Sequence, residues 1–203
     1  MKKNLVIIAG SYPYGQRESF LEAELHVVSS FFSKIYIIVP EHHTVDKTGS
    51  RFSLPTNAEV VLIDNKLSVF AKAVSVFSLF TPRILHHLRQ IRVKYRLAFS
   101  LSIFKILFAY EAKERVFRKL LLKELSQRGI ELNGLCLYTY WLTEYTCAIA
   151  RIKESHPEVK TITRAHGWDV YFERHHPPYL PLREYILSHM DRIAVISGHG
   201  RNY

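Results

Sequence analysis

The feature that most constrains this chain is the alternation of short, unbroken apolar runs with longer stretches of helical period. Residues 5–9 are apolar without a break, the pattern of a strand covered on both faces, which belongs inside a parallel sheet. A loop with Pro13 and Gly15 follows. Phe20, Leu21, Ala23, Leu25, Val27, Val28, Phe31 and Phe32 then recur at helical spacing, with Glu22 and Glu24 on the outer face. Ser19 stands at the N-cap position and Glu22 at the capping-box position three residues on. Residues 34–40 predict a second strand, ended by Pro40, and residues 59–64 a third. The polar segment 42–56 between them reads as a mobile loop.

Residues 67–127 carry no strand signal. They predict two or three helices, broken near Thr81-Pro82 and ended at Arg128-Gly129, where glycine supplies the stop. Strands resume at 134–138, 159–163 and 192–197, separated by helical patterns at 142–154 and 180–190. Six strands joined by helical crossovers predict an α/β fold: a Rossmann-like, doubly wound, mainly parallel sheet. Residues 1–203 form one domain on this reading, with a helical insertion at about 67–128.

Hydrophobic residues make up 48% of the chain and charged residues 23%, which excludes the disordered and fibrous classes. The apolar run at the N-terminus is too short for a signal peptide, and no run reaches the ~18 to 20 residues that span a bilayer. Cys136 and Cys147 are too few for a disulfide framework and sit in apolar surroundings, so both are read as reduced and buried, as in a cytoplasmic protein.

The net charge of +10 is concentrated. Residues 83–123 hold eleven Lys or Arg against two Glu, mixed with Leu85, Leu88, Ile91, Leu101 and Phe104. Two readings stay open: a solvated basic face on core helices, or an interfacial surface that attracts anionic lipids. No nucleic-acid-binding module is recognisable, and a nucleic-acid partner is not expected.

In a doubly wound sheet, ligands bind outside the carboxyl ends of the strands. The first such loop, residues 10–18, is neither GxGxxG nor a Walker loop, which disfavours a dinucleotide oxidoreductase. Gly15 can still admit a phosphate to backbone N–H groups before the helix, with Arg17 adding charge. The bland alternative is a turn glycine beside a solvated arginine.

The sharpest cluster follows the fifth strand: Arg164, His166, Gly167, Trp168 and Asp169. His166 can bond a sugar hydroxyl, Asp169 can accept from another or orient the imidazole, Trp168 can offer an apolar face, and Gly167 lets backbone come close. A packed loop with a structural His–Asp pair is the other reading. After the fourth strand, Tyr140, Trp141 and Glu144 line an acceptor groove or simply pack. The pairs His42-His43, His86-His87 and His175-His176 do not suggest metal, because adjacent residues share no face of a helix or strand. No HExxH and no Gly-x-Ser-x-Gly elbow is present.

Taken in order, these exits resemble the GT4 family of GT-B glycosyltransferases, closest to bacterial members that build exopolysaccharide or O-antigen. The resemblance rests on Ser11-Tyr12-Pro13-Tyr14-Gly15 with Glu18, Phe20-Leu21-Glu22 and Glu24; on Tyr138-x-Tyr140-Trp141; and on Arg164-Ala165-His166-Gly167-Trp168-Asp169-Val170-Tyr171. Tyr179-Leu180-Pro181-Leu182-Arg183 and Asp191-Arg192-Ile193-Ala194-Val195-Ile196-Ser197 complete it.

The resemblance implies the N-terminal, acceptor-side half of a two-domain retaining transferase. Its nucleotide-sugar donor is a substrate held mainly by a C-terminal domain, and neither a cofactor nor a metal is implied. The family's Glu-x7-Glu element lies in that second domain, which these residues do not include, so catalysis by this chain alone is not expected. His166 takes the position of the family's donor-sugar histidine and is the residue expected to be catalytic. Gly15, Arg17 and Gly167 fall beside the donor phosphates and sugar. Tyr140, Trp141, Glu144, Arg164, Trp168 and Asp169 are the residues expected toward a saccharide or lipid-linked saccharide acceptor. The location implied is cytoplasmic, peripheral at the inner face of the cytoplasmic membrane. A non-catalytic basic α/β module that docks on membrane or partner is the alternative.

Overall fold

The computed structural model describes residues 3–40, 51–68, 81–93 and 100–203. Six parallel strands form one sheet: β1 (Lys3–Ile8), β2 (Phe32–Pro40), β3 (Ala58–Ile63), β4 (Cys136–Thr139), β5 (Lys160–Ala165) and β6 (Arg192–Val195). Their spatial order is β3-β2-β1-β4-β5-β6, that of a Rossmann-like doubly wound sheet. β1 is central, pairing Leu5 to Ile8 with Ile35 to Ile38 on one side and with Cys136 to Thr139 on the other.

Successive β1 side chains enter different cores, as the unbroken apolar run requires. Leu5, Ile7 and Ala9 join Ile35, Ile37 and Val39 beneath Leu21 and Leu25 of α1 (Phe20–Val28). Val6 and Ile8 join Ile38, Val61 and Leu137 on the opposite face. There they meet Phe117 and Leu121 of α3 (Leu101–Gln127) and Ala148 and Ile149 of α4 (Glu144–Ser155). Cys136 and Cys147 are buried free thiols, and burial pushes the Cys136 thiol up to about 11.

Within the helical block, α2 (Pro82–Val93) begins at the expected proline, which is tolerated in a first turn. The Ser100 hydroxyl caps α3 by accepting from Ile103 N at 3.3 Å. Gly129, at φ +65°, ends that helix, with Ile130 N returning to Leu125 O at 2.9 Å. The rest of the predicted block, including Lys94 and Arg96, and the pair His42-His43 lie outside the described residues. The block is fastened by Arg151 of α4, which donates to Glu111 and Glu114 of α3 at 2.6 Å each. Both carboxylates are buried and share one helix face at i, i+3.

Three local expectations change. α1 stops at Val28, a 3-10 turn (Ser29–Phe31) follows, and Phe32 opens β2. Phe20, Val27 and Phe31 are exposed, at 78%, 67% and 69%. Ser19 has helical backbone and makes no side-chain cap, while Glu22 instead accepts from Ser53 N and Oγ at 2.8 Å. The helix predicted over 180–190 shrinks to α6 (Arg183–Ser188), because Pro181 precedes it and Leu182 takes a left-handed backbone at φ 54°. Two short helices complete the chain, α5 (Gly167–Val170) and α7 (Gly198–Asn202).

Candidate functional site

β1 and β4 are neighbours whose following connections run to opposite sides, so the crevice at their carboxyl ends is the switch point of the sheet. An open cleft of about 950 Å³ lies there, walled by the β1–α1 loop, by Arg51, by Trp141 and Thr143 after β4, and by Trp168 after β5.

The β1–α1 loop is folded around a carboxylate of its own. Glu18, 1% exposed, accepts from the backbone N–H of Gly10, Ser11 and Tyr12 at 2.7, 2.7 and 2.8 Å. It also accepts from Ser11 Oγ at 3.2 Å and from the Trp141 indole at 2.8 Å. Successive N–H groups of this kind form an anion-binding nest, and here Glu18 is the anion. Gly15 N–H goes to Ser11 O at 3.0 Å. A Cβ at Gly15 would lie 2.3 Å from Ser11 Oγ, so its glycine serves closure of the loop. These backbone donors are taken up within the loop itself. Arg17 does line the cleft.

Arg51 comes from a segment that the sequence marks only as polar. It docks on the same loop: Arg51 N donates to Pro13 O at 3.0 Å, and Phe52 stacks on Tyr12 at 5.3 Å. Tyr12 in turn donates its hydroxyl to Ser53 O at 3.2 Å.

After β4, Tyr140 is buried while Trp141, half-buried, reaches the cleft. Glu144 opens α4, 3.4 Å from Lys113 Nζ, and does not line the cleft. After β5, Arg164 points elsewhere, pairing with Glu24 at 3.0 Å and lying over the Tyr140 ring. Asp169 is buried: its Oδ1 accepts from His166 N at 2.5 Å and its Oδ2 from Leu142 N at 2.7 Å. It therefore braces the two strand exits against each other and is not open to a sugar hydroxyl. Gly167 makes room for Arg174, whose Nη1 would sit 2.9 Å from an added Cβ.

His166 lies behind the wall rather than on it. Its ring is 4.2 Å from that of Trp141 and 5.0 Å from that of Tyr140, and it is not among the cleft-lining side chains. Burial lowers its pKa; Asp169 opposes this and Arg164 adds to it, a balance that favours the neutral imidazole. Trp168 is 60% exposed on the cleft, with its ring 4.7 Å from that of His175.

Of the sequence-predicted residues, Gly15, Arg17, Trp141 and Trp168 thus meet in one cleft. Arg51 was missed. Among the described residues, no cluster of three or more His, Cys, Asp or Glu is arranged to hold a metal ion, and no helix is long and apolar enough to cross a membrane. Comparison of the sequence with protein-family models and with curated proteins gives no match.

Proposed function

We propose that this chain is the acceptor-side domain of a retaining glycosyltransferase, which moves a sugar from a nucleotide-sugar to a saccharide acceptor, lipid-linked, in surface polysaccharide biosynthesis. The observation that carries this reading is the cleft at the switch point of the sheet, where Trp141 and Trp168 come from two different strand exits to one space. Indole faces suit the C–H faces of a sugar ring, and polar groups at the rim suit its hydroxyls. His166 enters as a positioning residue that backs Trp141. The nucleotide-sugar would be held mainly by a second domain of the kind the family resemblance implies.

Trp168 tests the reading directly, because its exposure leaves the fold little to lose when it is truncated. Titration with a panel of oligosaccharides, followed by tryptophan fluorescence, should give saturable binding. Trp168→Ala should weaken that binding by about tenfold, the order of a stacked aromatic contact. Absence of saturable binding to any saccharide, or a Trp168→Ala variant that binds as well as the wild type, would overturn it.

A second reading has its own observation. Leu85, Val93, Leu101 and Phe104 are exposed on α2 and the start of α3, at 53%, 70%, 68% and 38%, beside exposed Arg89, Arg92 and Lys105. Exposed apolar and basic side chains on two helices whose buried faces share one core suit an anionic membrane interface. This fits peripheral placement at the inner face of the cytoplasmic membrane and a lipid-linked acceptor. It equally fits a non-catalytic module that docks there.

A further inference from the structure

We propose that the cleft binds the anionic group of a phosphate-bearing ligand on the guanidinium groups of Arg17 and Arg51, and not on the backbone of the β1–α1 loop. The proposal rests on the reading of the cleft as a saccharide site only for the rest of the ligand, a phosphorylated sugar.

A loop between the first strand and first helix of such a sheet ordinarily offers its N–H groups to a phosphate. In this chain those of Gly10, Ser11 and Tyr12 are all spent on Glu18, within 2.8 Å. The indole N–H of Trp141 is spent there too. A ligand anion entering the nest would have to expel a buried carboxylate that holds four N–H bonds, each charge-assisted. It would also meet the charge of that carboxylate.

With those donors and the N–H groups of Tyr14 and Gly15 taken up inside the loop, the cleft offers an anion the cationic side chains that line it. Arg17 and Arg51 line the same cleft, and among the described residues neither is in an ion pair. An anion in a cleft lined by two guanidinium groups can accept their planar donor forks, which suit phosphate. Tyr14 and Gln16 line the cleft beside them. Trp141 and Trp168 then face the uncharged part of the ligand. Arg51 is brought to this place by the Phe52–Tyr12 stack and the Arg51 N–Pro13 O bond.

The test is titration of the ¹⁵N-labelled chain with inorganic phosphate, with glucose, galactose and mannose 1-phosphates, and with the matching methyl glycosides. The arginine Nε–H, loop amide and tryptophan indole signals are followed by NMR. Saturable shifts at Arg17 and Arg51, with the Gly10 to Tyr12 amides and the Trp141 indole nearly still, are expected. Arg17→Gln and Arg51→Gln, both surface changes, should each weaken phosphate binding by about tenfold or more, and added salt should weaken it further. Binding of methyl glycosides with no gain from the phosphate would overturn the proposal and leave the saccharide reading standing. Phosphate that shifts the loop amides and frees the Trp141 indole would also overturn it, since the nest would then be the anion site. Phosphate binding at the arginines with no contribution from the sugar would support the proposal and remove the saccharide reading.

Discussion

Glu18 accepts the indole N–H of Trp141 across 2.8 Å, joining residues 123 apart in the chain. The same carboxylate gathers three consecutive backbone N–H groups, so one buried charge sets both the shape of the first loop and the aromatic wall opposite. Glu18→Ala would leave those donors without an acceptor in a site that is 1% exposed. Stability should fall by about 3 kcal/mol, or roughly 10 °C in Tm, and the Trp141 fluorescence should change with it. An unchanged melting temperature would mean that water replaces the carboxylate at no cost.

The backing of Trp141 by His166 is separable from any contact of His166 with a ligand. The imidazole is packed against the Trp141 and Tyr140 rings and does not line the cleft. His166→Ala should therefore loosen Trp141 and lower saccharide affinity by about tenfold, whereas His166→Phe, which keeps an aromatic ring in that space, should restore most of it. Calorimetry on both variants decides the matter. Equal losses for Ala and Phe would show that the imidazole nitrogen itself is needed.

The strands were legible because the physics that makes them is local: an unbroken apolar run such as Val6-Ile7-Ile8 can only be covered on both faces. The predicted bounds of β4 to β6 differ from the observed ones by one or two residues, where pairing with a neighbour decides the end. The site was legible only in part. Trp141 and Trp168 announce themselves as large aromatics at strand exits. Asp169 read as a ligand group because sequence shows a carboxylate but not the buried N–H of Leu142 that takes it up. Glu18 and Arg51 carry no periodic signal. Their roles come from contacts across the chain, Glu18 to Trp141 and Phe52 to Tyr12, which no window of sequence contains.

His87 makes stability depend on pH. Its Nε2 accepts from Leu182 N at 3.3 Å and lies 2.7 Å from the Tyr179 hydroxyl, helping to hold the left-handed backbone of Leu182. Burial, opposed by Gln90 and Glu184 and assisted by His86, lowers its pKa to about 4, against about 6.5 in an unfolded chain. Between those values the unfolded state binds the proton and the fold does not, so stability falls as pH drops from about 6.5 to 4. Below that it levels off. The loss should be about 3 kcal/mol, read as the shift in urea midpoint between pH 7 and pH 4. His87→Gln should be less stable at pH 7 and nearly flat across the window. A variant with the slope of the wild type would assign the pH dependence elsewhere.

The basic helices separate two forces that a membrane surface would use together. Arg89 and Arg92 are exposed on α2 and Lys105 on α3, whereas three other cations of these helices are engaged in ion pairs. Arg83 pairs with Glu154 and Tyr185 stacks on it, Lys113 meets Glu144, and Arg118 meets Glu114. Among the described residues, Arg89, Arg92 and Lys105 are the exposed cations at the end of α2 and the start of α3, and each should matter at roughly 1 kcal/mol toward an anionic leaflet. Removing two, as Arg89→Gln with Arg92→Gln, should lower partition onto anionic vesicles by about thirtyfold at low salt, and far less at high salt, where the attraction is screened. Leu101→Ser with Phe104→Ser should lower partition at both salt concentrations, because burial of apolar area is not screened. Cosedimentation with vesicles of neutral lipid and of neutral lipid mixed with anionic lipid reads both terms. Equal partition of the wild type onto the two compositions would leave α2 and α3 as a solvated basic face on core helices. Partition that depends on Arg89 and Arg92 but not on Leu101 and Phe104 would confine the contact to the lipid headgroups.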